Sequence, residues 1–483
     1  MRNDYQKEKI GAILKRKRGG PIMNQSDLQA IMKKQRTFFN TNQTKSISYR
    51  KEQLERLLEN VKKHEEDFYW AFEKDLKKPK AEVYATELGL VLSAINDMLE
   101  NLDKWTKPVN KPRAISSLLN KNTVFLEPFG TVYIIGPFNY PLQLTLVPLI
   151  GALAAGNCAI VKPSSKTPNV AAVIGAVLGE TFDEEYVKVL SPNSIDNASV
   201  LKEPMDFIFF TGSTKVGKIV MEAAAKHLTP VVLELGGKSP AIVTEQADIE
   251  IAAERIIWSK LLNTGQTCIA TDYVLVDEKV KNQFIKALKE KIIEFYGQSI
   301  QENPDYGRIV QGSAIDKFIQ LIEENRRSLI YGGEYDQKTR FVAPSLFDIG
   351  LTRENSLMEE ELFGPLLPIC TYSQLSEAIQ FVKEGEKPLA VYLFSDDRTS
   401  QKQILHELSF GGGGINQTIL HVANDDLPFG GVGASGMGNY HGKYSIETFS
   451  HKKSVVFGRK DSMAKLIYPP YDQKKFDWIK RLL

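Results

Sequence analysis

Between residues 131 and 394, short β-rich apolar runs alternate with segments of helical length and spacing, and this alternation constrains the fold more than any other feature. In its first half, strand-like runs at 131–135, 158–162, 187–190 and 207–210 are separated by helical segments at 141–155, 168–178 and 195–201. Successive strand–helix–strand units of this length return each strand parallel to its neighbour, so the pattern calls for a parallel sheet covered on both faces. A second series begins near residue 231, with strands at 231–234, 241–243, 273–276, 345–347 and 390–394 and helices at 249–262, 278–294 and 316–324. At 483 residues the chain exceeds what one core normally accommodates. The expectation is an α/β protein with two doubly wound, Rossmann-like parallel-sheet domains and a cleft between them.

The flanks add less regular elements. Amphipathic helices are expected at 49–78 and 83–105, and 123–135 reads as a hairpin or paired strands around Pro128-Phe129-Gly130. The most apolar stretch, 140–161, is interrupted by Gln143 and Thr145 and broken at Gly156-Asn157, so a buried helix followed by a buried strand fits better than a membrane span. Glycines at 411–414, 430, 431, 433, 436 and 438 suit close backbone approach to a ligand or a neighbouring element.

Charge excludes little until it is divided. The formal net charge of +2 argues against a nucleic-acid binder. Residues 1–22 hold seven basic side chains against Asp4 and Glu8, a local +5 that leaves the rest at −3. This leader is read as an appendage ahead of an ordinary start at Met23, since its apolar part is too short for a secretory signal. The three cysteines, Cys158, Cys268 and Cys370, are too few for a disulfide framework, and a reducing, cytoplasmic setting is expected. The six histidines form no pair at ligand spacing, so no metal site is expected.

Four places carry chemistry. In Phe209-Phe210-Thr211-Gly212-Ser213-Thr214-Lys215-Val216-Gly217 a strand ends in a small-residue turn where a helix begins, a geometry that offers N–H donors to a phosphate or is a plain structural corner. Cys158 and Cys370 read as core residues, whereas Cys268 lies in the polar, small-residue loop Gly265-Gln266-Thr267-Cys268, where a thiolate is accessible to substrate. Glu234 ends an apolar strand just before Gly236-Gly237, so it is either a desolvated general base or half of a salt bridge to Lys238. Asn139, between a strand and a helix, is either an oxyanion donor or a helix N-cap.

Taken together these phrases resemble the aldehyde dehydrogenase superfamily, in that family's order and over nearly the whole chain from Met23. The resemblance rests on residues 136–141, 156–164, 210–217, 234–240, 265–268, 361–365 and 428–436, and on the 34-residue interval from Glu234 to Cys268. Residues 437–445, 448–451 and Tyr468-Pro469-Pro470-Tyr471 are similar to the class 3 (fatty and aromatic aldehyde) branch, bacterial members above all. Some class 3 members end in an apolar anchor; residues 474–483 contain four basic side chains instead, so no membrane anchor is expected.

The resemblance implies an NAD(P)-binding domain at 23–107 and 131–233, a catalytic domain at 234–427, and a small β bridging and oligomerisation element at 108–130 and 428–483. It implies oxidation of a small-molecule apolar aldehyde (medium- or long-chain aliphatic, aromatic or terpenoid) to the acid, by a homodimer. Cys268 would attack the aldehyde, Asn139 and the Cys268 N–H would hold the oxyanion, and Glu234 would activate the water that hydrolyses a thioester. Lys162 and Ser165 would lie at the adenosine ribose, Gly212, Ser213 and Gly217 at the pyrophosphate, and Glu361 and Phe363 at the nicotinamide end. Ser165 stands where many relatives have a glutamate that repels a 2′-phosphate, and Lys166 follows it, so both NAD and NADP are expected as cofactors. The rivals are a CoA-acylating enzyme, which generally lacks the hydrolytic glutamate, and a non-catalytic protein on the same fold.

Overall fold

A computed structural model describes residues 22–112, 120–310, 312–458 and 468–482; residues 1–21 of the basic leader lie outside the described residues. The chain opens with helices α1 (Gln25–Asn40), α2 (Ile47–Lys63), α3 (Glu65–Leu76) and α4 (Gly89–Trp105). The expected helix at 49–78 is therefore two, broken at His64, and α1 was not read from the sequence. Strands β1 (Val109–Lys111), β2 (Lys121–Pro128) and β3 (Thr131–Ile135) follow, then α5 (Gln143–Ala155), β4 (Cys158–Lys162), α6 (Pro168–Thr181), β5 (Val187–Val189), β6 (Phe207–Gly212), α7 (Thr214–Ala225) and β7 (Val231–Leu235). The second half contributes β8 (Pro240–Val243), α8 (Ile249–Leu261), β9 (Tyr273–Asp277), α9 (Lys281–Tyr296), α10 (Gly312–Glu324), β10 (Leu329–Tyr331), β11 (Ser345–Asp348) and β12 (Leu366–Tyr372). It continues through α11 (Leu375–Lys383), β13 (Ala390–Phe394), α12 (Arg398–Glu407), β14 (Gly412–Ile415), β15 (Gly436–Met437), α13 (Gly442–Thr448), β16 (Ser450–Phe457) and α14 (Gln473–Leu482).

Two α/β sheets form, as the alternation requires. The first has the order β15-β7-β6-β3-β4-β5, parallel except for β15. The second has the order β10-β11-β12-β9-β8-β13-β14, parallel except for β10. In the first sheet the chain moves from β3 outward through β4 and β5, then returns to β6 on the other side of β3. The loops leaving β3 and β6 consequently diverge and open a crevice at the carboxyl ends of the strands. Every residue of α5 is buried, and β4 is buried throughout. The apolar stretch at 140–161 is thus core, and no described helix is long and apolar enough to cross a membrane.

Three departures have local causes. The hairpin expected at 123–135 does not form, because β2 pairs with β1 and β16 while β3 joins the first sheet. The chain passes between the sheets at Gly130 (φ +142°), whose N–H donates to Asn157 Oδ1 at 3.0 Å while the Thr131 N–H donates to Asp206 Oδ2 at 2.8 Å. Strand β7, read as the start of the second series, is hydrogen-bonded into the first, and its other edge takes β15 from the glycine-rich stretch. Strand β12, in the middle of the second sheet, is not among the expected strands; it contains Pro368, and proline within a run argues against a central strand. The glycines at 412–414 form edge strand β14, and a Cβ at Gly413 would overlap the Val391 carbonyl of β13.

Candidate active site

The crevice opens into a cavity of about 1030 Å³, lined by the ends of β3, β4, β6 and β7, by Cys268, and by residues 358–361 and Phe363. Nine of the ten sequence-predicted site residues line it: Asn139, Lys162, Ser165, Gly212, Ser213, Glu234, Cys268, Glu361 and Phe363. Gly217 is the exception. It lies inside α7, where a Cβ would meet Leu235 Cδ2 at 2.6 Å, so its role is to bring the helix close to β7.

Glu234 is 3% exposed, and neither carboxylate oxygen has a hydrogen-bond partner. Burial alone raises its pKa well above the ordinary carboxylate value. The salt bridge to Lys238 is absent: that ammonium pairs with Asp272 Oδ2 at 2.5 Å and also donates to the carbonyls of Leu357 and Glu360.

Asn139 is not the cap of α5. The first N–H groups of that helix, at Leu142 and Gln143, donate to Glu87 Oε2 at 3.1 and 2.9 Å. Glu87 is fully buried on a π-turn and held by Lys78 at 3.2 Å, and burial pushes its pKa up to about 7. Relieved of capping, the buried Asn139 side chain is free to donate elsewhere.

The Cys268 loop is held by residues within and just outside the Gly265-Gln266-Thr267-Cys268 phrase. After α8 the backbone is left-handed at Asn263 (φ +52°), Thr264 (φ +56°) and Gly265 (φ +77°), a tight reversal unusual for side chains with a Cβ. Asn263 Nδ2 donates to the Asn139 carbonyl at 2.8 Å and to the Gln266 carbonyl at 3.2 Å. Gln266 Nε2 donates to the carbonyls of Asn263 and Arg308, both at 3.0 Å, while its Oε1 accepts the Val310 N–H. The hydroxyls of Tyr140 and Thr267 meet at 2.6 Å. Asn263 and Tyr140 therefore fix the cysteine loop to the Asn139 segment across the crevice. Asn263 lies only near the quoted motifs and Tyr140 within the 136–141 phrase, and neither position reveals a partner more than a hundred residues away.

The Cys268 thiol is raised by burial, then by the charges of Glu361 and Glu234, while the N–H groups of Cys268 and Ile269 pull it the other way. Burial therefore works against the thiolate form in this site. Glu361 packs on the turn after β7 and accepts the Gly237 N–H; burial and nearby Asp272 push its pKa up to about 8. The Phe363 ring stands edge-on to Phe138 with centroids 5.7 Å apart.

At the opposite end, Ser213 Oγ caps α7 by accepting the Val216 N–H, and the remaining first-turn N–H groups are open to an anion. Lys162 is buried and donates to the Ile195 carbonyl. Lys166, which follows Ser165 and also lines the cavity, holds its ammonium 4.7 Å over the Phe138 ring.

The aldehyde dehydrogenase family model matches residues 19–455. The 4,4'-diaponeurosporen-aldehyde dehydrogenase of Staphylococcus aureus is 49% identical over 445 residues, covering 92% of this chain and 96% of that one. The dimeric, NADP-preferring aldehyde dehydrogenase of Canis lupus familiaris is 40% identical over 447 residues, covering 92% and 98%. The substrate-bound structure of Staphylococcus aureus AldH superimposes with a TM-score of 0.91 at 48% identity, over 95% of this chain and 99% of that one. With this coverage, and with two parallel sheets meeting at a cavity that holds a cysteine and a glutamate, the chain belongs to the aldehyde dehydrogenase family.

Proposed function

We propose that the chain oxidises an apolar aldehyde to its carboxylic acid with NAD or NADP. The observation that carries this reading is a single cavity holding the Cys268 thiol, the unpartnered Glu234 carboxylate and the uncommitted Asn139 amide. The Cys268 thiol releases its proton to water, and Cys268 Sγ attacks the aldehyde carbon. Asn139 Nδ2 and the Cys268 N–H donate to the oxyanion that forms, charge that is absent in the ground state, so the donation favours the transition state. Cys268 then carries the acyl group as a thioester, and Glu234 takes a proton from the water that cleaves it.

The residues present fit a nicotinamide dinucleotide. The open N–H groups of α7 suit its pyrophosphate, and Glu361, with Phe363 against Phe138, suits its nicotinamide end; Lys162 and Ser165 remain for the adenosine ribose. When bound, the cofactor supplies the hydride acceptor. Ser165 places no negative charge against a 2′-phosphate, which supports use of NADP alongside NAD, as does the NADP-preferring relative. The diaponeurosporen-aldehyde named for the Staphylococcus aureus relative supports the apolar substrate class.

A homodimer is supported by β16, which among the described residues pairs with β2 alone and exposes Val456 and Phe457. Residues 108–130 and 428–483 would then bridge the subunits, apart from β15, and the three free cysteines fit a reducing cytoplasm. The test is purified protein against aliphatic, aromatic, terpenoid and amino-aldehydes with each cofactor, with products analysed in the presence and absence of CoA. Free acid from apolar aldehydes without CoA is expected; preference for small charged aldehydes, or an acyl-CoA product, overturns the reading.

A further inference from the structure

The segment that presents Glu361 and Phe363 is a loop between the short helix Ser356–Glu359 and β12. Phe363 holds a left-handed backbone (φ +51°), a conformation an aromatic residue adopts only when its surroundings impose it. The backbone just ahead of it is held by one ion pair, Lys238 with Asp272. Lys238 Nζ donates to the carbonyls of Leu357 and Glu360, each at 2.9 Å, and to Asp272 Oδ2 at 2.5 Å. Asp272 Oδ1 in turn accepts the Leu362 N–H at 2.9 Å. The Asp272 N–H donates to the Ser239 carbonyl at 2.8 Å, which anchors the pair to the turn that follows the strand bearing Glu234. Three points of the loop, at 357, 360 and 362, are thereby tied to Lys238 and Ser239, four and five residues after Glu234. The Asp272 side chain is 4% exposed, so its charge is satisfied by these contacts.

We infer that Lys238 and Asp272 are positioning residues that lock the 357–363 loop, and with it Glu361 and Phe363, in the conformation that grips the nicotinamide end of the cofactor. This rests on the proposed function above. Neither side chain is assigned to the reacting atoms; the pair acts through the loop. The acylation of Cys268, which uses Asn139 and the Cys268 N–H, makes no use of the Glu361 or Phe363 side chains.

The experiment separates the two. Lys238→Met, Asp272→Asn and Lys238→Arg are compared with the wild-type protein by equilibrium titration with NADH and NADPH, by KM for cofactor and for aldehyde, and by cofactor-free acylation of Cys268 with p-nitrophenyl acetate. Lys238→Met and Asp272→Asn raise cofactor Kd and KM at least about tenfold while ester acylation stays within about twofold, and Lys238→Arg recovers most of the binding. Lys238→Met leaves Asp272 buried without its partner, so if that variant does not fold, Lys238→Met/Asp272→Leu removes both charges and gives the same binding loss. Unchanged cofactor Kd in a folded variant overturns the inference alone, as does a parallel loss of ester acylation. Absence of nicotinamide-cofactor binding by the wild-type protein overturns both the inference and the proposed function.

Discussion

Replacing Glu234 by glutamine removes a charge and a base while keeping the shape, and the two consequences diverge. The carboxylate is buried with no hydrogen-bond partner, so the substitution breaks no contact. Its pKa in the folded chain lies well above the value of about 4.3 expected when unfolded. For such a group the contribution to stability is present below the unfolded pKa and is lost as pH rises through the folded one. Each unit of separation is worth about 1.4 kcal/mol. Glutamine does not titrate, so Glu234→Gln gains on the wild type as pH rises above about 4 toward the folded pKa, and its Tm advantage widens over that window. Activity moves the opposite way, with kcat falling about 10²- to 10⁴-fold as general-base assistance to thioester hydrolysis disappears. Formation of reduced cofactor in the first turnover survives, because acylation precedes that step, so stopped-flow absorbance shows a burst of up to one equivalent per site followed by slow turnover. A Tm gap that narrows or reverses toward high pH means that the carboxylate has a stabilising partner, and refutes the burial argument. A burst lost in proportion to kcat means that Glu234 is needed before deacylation.

Further outcomes follow from other contacts. Cys268→Ser abolishes aldehyde oxidation to at least about a thousandth of wild type while NADH titration still saturates, since the hydroxyl is the weaker nucleophile in a site that raises even a thiol. Asn263→Ala releases the carbonyls of Asn139 and Gln266, loosens the cysteine loop, and lowers kcat/KM about 10- to 100-fold, measured at constant cofactor saturation. Ser165→Glu raises KM for NADP at least about tenfold and leaves KM for NAD within about twofold, because only NADP brings a second negative charge to that position. Light scattering gives a particle of twice the 54.3 kDa chain mass, and Phe457→Lys on the exposed edge strand shifts it toward one.

The sequence alone determined the two-sheet α/β architecture, because strand–helix alternation is written in local hydrophobic periodicity, and most strands of the first sheet fall within two residues of where that periodicity puts them. It also located Cys268, Glu234 and Asn139, through residue chemistry in short glycine-bearing loops and a family resemblance carried by their order. Tertiary structure decided what periodicity cannot encode. Which sheet β7 joins depends on pairing with β6, and the fate of Pro128-Phe129-Gly130 depends on Asp206 and Asn157 reaching Gly130 and Thr131 from elsewhere in the chain. Asn139 is spared from capping only because Glu87 arrives from a π-turn some fifty residues earlier, and Glu234 is unpaired only because Asp272 holds Lys238. Gly217, a ligand glycine by motif, is a packing glycine by contact. Each of these choices is a competition between partners distant in sequence, settled by burial and geometry that exist only once the chain has closed on itself.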